Sequence, residues 1–292
     1  MSGTNTTGHA FDSKLPTMSD DQFKLFSDFI YKSCGINLKL KKKLMLIARL
    51  YKRLNDLNMP NYDAYYDYLL SSKNREEEII NMIDAVTTNK TDFFREPDHF
   101  TYLNSKILPE YINSDNFRKG KVLNVWSAGC STGEEPYTIA IVINEFFNTN
   151  NIQRAFNITA TDISTKVLDA AGKGVYKYDT MMPVPKNLLN KYFIQTANNN
   201  QKDFCVAPEL KKHITYKRLN LMDDDYKLNE LMDMIFCRNV VIYFDRNTQI
   251  ELFAKFYALL NRGGYIFIGN SESLHGINDN FRMVAPTIYR KL

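Results

Sequence analysis

Val122-Leu123-Asn124-Val125-Trp126-Ser127-Ala128-Gly129-Cys130-Ser131-Thr132-Gly133-Glu134-Glu135-Pro136 passes from a run of strand formers, through a turn of small residues, into the start of a helix. The same alternation continues outward from it. Helical spacing of apolar residues runs from Glu134 to Phe147, a strand is expected at Phe156 to Thr161, and a helix at Thr165 to Ala171. Further strands are expected at Ile214 to Leu219, Met232 to Cys237 and Tyr265 to Ile268, with a helix from Thr248 to Leu260 before the last. Strand alternating with helix predicts an α/β fold built on a parallel, doubly wound sheet. The polar stretch Phe193 to Lys212, with Asn198-Asn199-Asn200 as a turn signal, breaks the rhythm and reads as an insertion.

The region before this stretch is different in kind. Residues 1–18 read as a flexible tail. Ser19 and Gln22 have the spacing of a capping box, followed by Phe23, Phe26, Phe29 and Ile30 at helical intervals, with Gly35 as the stop. Helical stretches at about 41–55, 62–70 and 75–86 complete a small helical N-terminal domain over 19–90. The α/β domain then occupies 91–292, with the insertion at about 193–218.

Composition narrows the class of protein. Of 292 residues, 44% are hydrophobic, which is ordinary for a globular chain. No apolar run approaches the roughly 20 residues that span a bilayer, and the polar N-terminus has no signal-peptide core, so a cytoplasmic protein without membrane insertion is expected. The four cysteines form no CxxC pair and the four histidines do not cluster, so no metal site is expected. The net charge is only +4, but Lys39, Lys41, Lys42, Lys43, Arg49, Lys52 and Arg53 follow one another with no acid between them. With Lys42 at zero on a wheel of about 100° per residue, Arg49, Lys52 and Arg53 share its side, while Leu44, Ile47, Tyr51 and Leu54 fall opposite. A cationic face outward and an apolar face inward are therefore expected. Such a face is either a solvated surface or a dock for an acidic partner.

The turn after the first strand carries the chemistry. Small residues at Ala128 and Gly129 let the backbone approach a nucleotide-like ligand at the strand's carboxyl end. Gly129, Ser131 and Gly133 occupy the alternate positions where a nucleotide loop often has three glycines, and an ordinary strand–helix turn is the competing reading. Asp162 favours the first, because a carboxylate at the end of the next strand can accept the hydroxyls of a ribose. Glu134 and Glu135 stand where a pyrophosphate would lie in a dinucleotide site, and two acids there repel phosphate but suit a cation. S-adenosylmethionine (SAM), with a sulfonium, an ammonium and no phosphate, fits better than NAD.

Three segments together resemble the chemotaxis receptor methyltransferase (CheR) family: Thr88-Asn89-Lys90-Thr91-Asp92-Phe93-Phe94-Arg95-Glu96, Trp126 to Tyr137, and Ile235-Phe236-Cys237-Arg238-Asn239-Val240-Val241-Ile242-Tyr243-Phe244-Asp245. The similarity runs through nearly the whole chain from Ser19. It implies a doubly wound, Rossmann-like SAM-methyltransferase sheet, a helical N-terminal domain and a small inserted antiparallel β-subdomain. It further implies that Asn89, Thr91 and Arg95 contact SAM from the interdomain segment, Glu135 the methionyl end and Asp162 the ribose. Asn220 and Leu221 would border the adenine, and Asn239 and Val240 the far side of the pocket. Two positions depart from the family pattern: Val241 replaces a frequent Met, and Asn270 a frequent His, which leaves the role of the Asn270–Glu272 turn open.

The implied reaction is methylation of glutamate carboxylates on chemoreceptors, with S-adenosylhomocysteine as product. A glutamate, pKa near 4.3, is already an ionised nucleophile at neutral pH, so no general base is required and the task is alignment. Arg95 and Tyr243 are the candidate catalytic residues, a cationic fork and a neutral donor for one carboxylate oxygen. Arg95 as a helix-boundary ion pair and Tyr243 as a core aromatic are the structural alternatives. Lys42, Arg49, Lys52 and Arg53 are the candidate contacts for the receptor's glutamate-rich cytoplasmic helical bundle, and the β-subdomain for a receptor C-terminal tail peptide. Two rivals are a nucleic-acid methyltransferase and a non-enzymatic SAM-binding receptor adaptor. The first lacks the Asn/Asp-Pro-Pro-aromatic run at Cys237 to Val240 and a stacking surface, so no nucleic-acid partner is expected.

Overall fold

The computed structural model describes residues 17–71, 73, 75–198 and 201–292. The expected tail lies outside them up to Pro16, and Met18 is already buried. The chain forms two compact units, one of residues up to Phe29 together with 38–86, the other of 30–37 together with 87–292.

The first unit is helical. Helix α1 (Asp20–Cys34) opens on a reciprocal capping box: the Ser19 N–H donates to Gln22 Oε1 at 2.8 Å and the Gln22 N–H to Ser19 Oγ at 3.0 Å. Helices α2 (Lys43–Asp56), α3 (Tyr62–Ser71) and α4 (Arg75–Val86) follow. Phe26 stacks on Tyr65 with ring centroids 5.9 Å apart and meets Tyr62 edge-on, and Leu46, Leu50, Leu69, Met82 and Ile83 fill the rest of the core. Each such buried side chain contributes about 1.5–3 kcal/mol.

The expected outward cationic face of α2 is corrected here. Lys42 and Lys52 are exposed, but Arg53 turns inward, with 16% of its side chain accessible, and grips Glu78 of α4 through Nη2 at 2.6 Å and Nε at 3.0 Å. Tyr65 donates to the same carboxylate at 2.7 Å. Glu78 is 3% exposed, and a carboxylate so buried requires charged and hydrogen-bonding partners. Arg49 donates to the Val86 carbonyl. Leu44, expected on the apolar side, is 79% exposed.

The second unit holds strands β1 (Leu123–Ala128), β2 (Phe156–Asp162), β3 (Val175–Lys177), β4 (Phe193–Asn198), β5 (Gln201–Val206), β6 (Ile214–Arg218), β7 (Met232–Cys237), β8 (Leu260–Ile268), β9 (Phe281–Ala285) and β10 (Ile288–Lys291). Seven of them make a sheet in the order β6-β2-β1-β7-β8-β10-β9. The pairs from β6 to β8 are parallel, and β10 is antiparallel to both neighbours. Side-chain alternation divides the core in two. Leu123, Val125, Phe156, Ile158, Met234 and Phe236 pack with helix Glu134–Thr149. Trp126, Ala128, Ile235, Cys237 and Ile266 pack with helix Arg246–Leu259.

The small sheet is β3-β5-β4, antiparallel throughout. Its bounds differ from the expected 193–218. It recruits β3 from before that range, and Ile214–Arg218 leaves it to pair with β2 in the large sheet.

From β1 the chain winds outward to β2 and β6, then returns to β7 on the other side of β1. The order therefore reverses between β1 and β7, and in open parallel sheets ligands bind beyond the carboxyl ends of the strands at such a point.

Candidate active site

The turn after β1 is built to run close to its neighbours. Gly129 has φ +85°, and a Cβ there would lie 2.4 Å from Val240 Cγ2 in the turn after β7. Gly133 has φ +98°, and a Cβ would meet Ala171 Cβ and the Tyr176 hydroxyl at 2.9 Å. Both positions therefore require glycine on two counts, conformation and space. Between them Ser131, a non-glycine at φ +48°, is held by Asp162: its N–H donates to Asp162 Oδ2 at 2.9 Å, and the Ser164 N–H donates to Oδ1 at 3.0 Å. Asp162 thus shapes the turn.

A buried guanidinium ties three segments together. Arg238, at the end of β7, has only 2% of its side chain exposed and donates from Nη1 to Glu135 Oε2 at 3.2 Å and from Nη2 to Glu96 Oε2 at 2.9 Å. It also reaches the Arg95 carbonyl and lies over the Phe100 ring. Glu135 takes a further bond from Ser127 Oγ at 2.7 Å. Burial pushes the Glu135 carboxyl above the ordinary glutamate range, and Arg238 opposes that. Burial also acts on Glu96, but there the Asn270 N–H and Arg238 outweigh it and hold the carboxyl below that range. Two carboxylates thus share one guanidinium. Glu134 contributes less than expected: it is buried, accepts from Thr132 Oγ1 at 2.7 Å, and burial pushes its carboxyl up.

The turn at Asn270–Glu272 has a structural role. The Asn270 N–H donates to Glu96 Oε1 at 3.0 Å. Glu272 accepts from the N–H groups of Asn239, Ile242 and Gly269 at 3.0, 3.1 and 2.5 Å, and so shapes the turn after β7. Asn239 stands at φ +59° there, its Nδ2 3.4 Å from Glu96 Oε1. Behind Glu96 lies His99, buried and pushed down to about 4 by burial and then by Arg238, with Nε2 2.7 Å from Thr287 Oγ1.

The other candidates fall at the rim of the same region or beside it. Ala128 is buried at the end of β1 in register with Thr161. The Asn89 carbonyl accepts from Ser131 Oγ at 2.9 Å, and Thr91 is half-buried. Arg95 Nη1 donates to the Lys90 carbonyl at 2.9 Å within its own loop. Asn220 and Leu221 follow β6, with Asn220 bonded to the Ser33 carbonyl at 2.8 Å and Leu221 buried. Tyr243 is half-buried at the end of the turn Val241–Tyr243. No hydrogen bond joins Arg95 to Tyr243 among the described residues. Arg238, Glu96 and Glu272 escaped the sequence reading. A charged residue directly after the apolar run Met232–Cys237 was the available signal, since an arginine there is buried with a partner or not at all. Among the described residues no group of His, Cys, Asp or Glu could hold a metal, and no helix is long and apolar enough to cross a membrane.

Comparison with known proteins agrees with this geometry. Residues 89–290 match the family described as CheR methyltransferase, SAM binding domain, and residues 21–87 the one described as CheR methyltransferase, all-alpha domain. The chain is 39% identical to a chemotaxis protein methyltransferase of Borreliella burgdorferi, over 98% of this chain and 99% of that one. It is 32% identical to chemotaxis protein methyltransferase 2 of Pseudomonas aeruginosa, over 98% of each. Against the chemotaxis protein methyltransferase of Escherichia coli it is 34% identical, over 93% of this chain and 91% of that one.

Proposed function

The chain belongs to the CheR methyltransferase family, and on that premise we propose that it transfers a methyl group from SAM to glutamate side chains of chemoreceptors. The observation that carries the reading is the Glu96–Arg238–Glu135 constellation at the switch point of the sheet, two acidic side chains on one guanidinium beside a glycine turn. That combination suits a ligand with a positive head and a nucleoside body, and disfavours a pyrophosphate.

When bound, SAM supplies an activated methyl group and a neutral leaving group. The protein's own contribution is placement. Glu135 meets the ammonium of the methionyl end, and Arg238 orients Glu135 and opposes the effect of its burial. Asp162 accepts from the ribose, Asn220 and Leu221 border the base, and Val240 and Asn239 close the far side. Ala128, Gly129, Asn89 and Thr91 line the approach. Arg95 and Tyr243 receive the incoming carboxylate, each through one oxygen, so that the other remains free to attack. The charge that attacks is already present at neutral pH, so none of the buried groups needs to accept a proton.

The receptor is held outside this pocket. Lys42, just before α2, and Lys52 within it are exposed cations and meet the glutamate-rich bundle. Arg49 and Arg53 act behind them by fixing the helix. The small sheet offers β4 as an edge strand, with Ile194 exposed, to which an extended receptor tail can add.

The test is incubation of the protein with SAM and chemoreceptor-containing vesicles, followed by mass spectrometry of receptor peptides. Methylation on glutamate is the expected result. Methylation on lysine, on nucleic acid or nowhere contradicts the proposal.

A further inference from the structure

The last turn of α1 and the loop after it, Ile30–Asn37, belong to the α/β unit and touch two turns that carry candidate site residues. On the turn after β6, Asn220 Nδ2 donates to the Ser33 carbonyl at 2.8 Å, while its Oδ1 accepts from the Met222 N–H at 3.1 Å. Gly35, at φ +74°, lets Met222 approach so closely that a Cβ would sit 2.4 Å from its Sδ. On the turn after β7, the Asn37 N–H donates to the Tyr243 carbonyl at 2.9 Å. Tyr31 Oη donates to Asp245 Oδ2 at 2.7 Å and lies 3.4 Å from Thr248 Oγ1. Asp245 Oδ1 meanwhile accepts from the Thr248 N–H at 2.9 Å and caps the following helix.

Among the described residues no hydrogen bond runs directly between the turn at Asn220–Met222 and the turn at Val240–Asp245. The segment from Tyr31 to Asn37 bonds to both. The two turns leave the sheet from β6, at its edge, and from β7, beside β1, so the sheet alone fixes their separation only through two intervening strands. The segment fixes it directly, bonding through Tyr31 and Asn37 at its ends to the turn after β7 and through Ser33 in its middle to Asn220.

We propose that Ile30–Asn37 is a strap that sets Asn220 and Tyr243 relative to each other, and that Tyr31 is a positioning residue for cofactor binding and methyl transfer. Its functional meaning rests on the methyltransferase reading above. Tyr31 touches neither the cofactor nor the substrate. It anchors one end of the strap on the residue that caps the helix after Tyr243, Asn37 anchors the other end on the Tyr243 carbonyl, and Ser33 between them holds Asn220.

The experiment uses the full chain with two variants, Tyr31→Phe and Gly35→Ala. S-adenosylhomocysteine binding is measured by calorimetry, unfolding by a thermal scan, and receptor methylation by initial rates. Tyr31 is 39% exposed, so losing one hydroxyl should leave the unfolding temperature close to wild type. The hydroxyl's bond is to a charged group, and the strap passes on part of its loss, so Tyr31→Phe should bind S-adenosylhomocysteine about threefold to tenfold more weakly. Its KM for SAM should rise and kcat fall, with the KM for receptor unchanged. Gly35→Ala forces Met222 away from the strap and should weaken binding further. Wild-type affinity in both variants overturns the strap, whatever the receptor assay shows. Wild-type affinity in Tyr31→Phe overturns it even where Gly35→Ala does not fold. If the wild-type protein methylates no receptor while Tyr31→Phe still binds the nucleoside more weakly, the strap stands and the substrate assignment falls.

Discussion

Replacing Arg238 by Met removes the central charge of the site and keeps most of its volume. The guanidinium lies 2.9 Å from Glu96 and 3.2 Å from Glu135, with 2% of its side chain exposed. At an effective dielectric of 20, each pair at this distance attracts by about 5 kcal/mol, most of it offset by desolvation. Removing one partner of such a buried pair nevertheless costs about 3–5 kcal/mol, because the carboxylates stay behind uncompensated. Trp126 is the only tryptophan and is fully buried in the α/β unit, so its fluorescence during urea unfolding reports that unit. The pH dependence gives a second readout. In the wild type Glu96 is held below the ordinary value of 4.5, so its stabilisation is present above that value and is lost as pH falls through the lowered one. In Arg238→Met burial acts on Glu96 and Glu135 unopposed by the guanidinium, and the folded state binds protons that the unfolded chain does not. The variant should therefore recover stability as pH falls from about 7 toward about 4.5, narrowing the gap to wild type. A variant within about 1 kcal/mol of wild type at pH 7, or a gap that does not change with pH, would refute the reasoning.

Asp162→Asn replaces one acceptor by a donor facing a backbone N–H. It should weaken S-adenosylhomocysteine binding by about 1.5–3 kcal/mol in calorimetry, and unchanged affinity would leave Asp162 with a purely local role. Arg53→Ala exposes the buried Glu78 to an unpaired state and should lower the stability of the helical unit by about 3 kcal/mol or more in circular dichroism. Lys42→Glu with Lys52→Glu alters only exposed cations: stability should stay within about 0.5 kcal/mol, while the KM for receptor rises and the wild-type rate falls with salt. Arg95→Ala and Tyr243→Phe should each lower kcat for methyl transfer without shifting the unfolding midpoint, and full activity in both would make these side chains structural only.

The large-scale fold was readable because each of its elements is specified locally. Ser19 and Gln22 bond as the capping-box spacing requires, and β7 begins and ends at Met232 and Cys237 as the apolar run predicts. The insertion was misread at both ends for want of pattern. Strand β3 is only three residues long, too short for its one buried residue, Tyr176, to mark a pattern, and β6 follows the insertion without a break in composition. The wheel for α2 placed Ile47 and Leu54 inward, where they are, yet it could not turn Arg53 inward, because Glu78 lies 25 residues away on another helix. A wheel knows only its own helix. The same limit explains the site. Asp162 and Glu135 were conspicuous as acids at the ends of expected elements. Glu96 and Arg238 are 142 residues apart, so even where the apolar run before Arg238 signals burial, nothing local names its partner. Asn220 and Ser33, 187 residues apart, have no local signal at all.

A carboxylate acceptor gives a methyl ester, and the chemistry of the bond formed distinguishes it from any other acceptor. Chemoreceptor vesicles are incubated with this protein and SAM carrying a radiolabelled methyl group, the receptor is isolated, and the sample is brought to alkaline pH. A methyl ester hydrolyses in base, so the account predicts receptor-bound label that is released as volatile methanol. Label that stays on the receptor through alkaline treatment, as a methylated amine would, contradicts it.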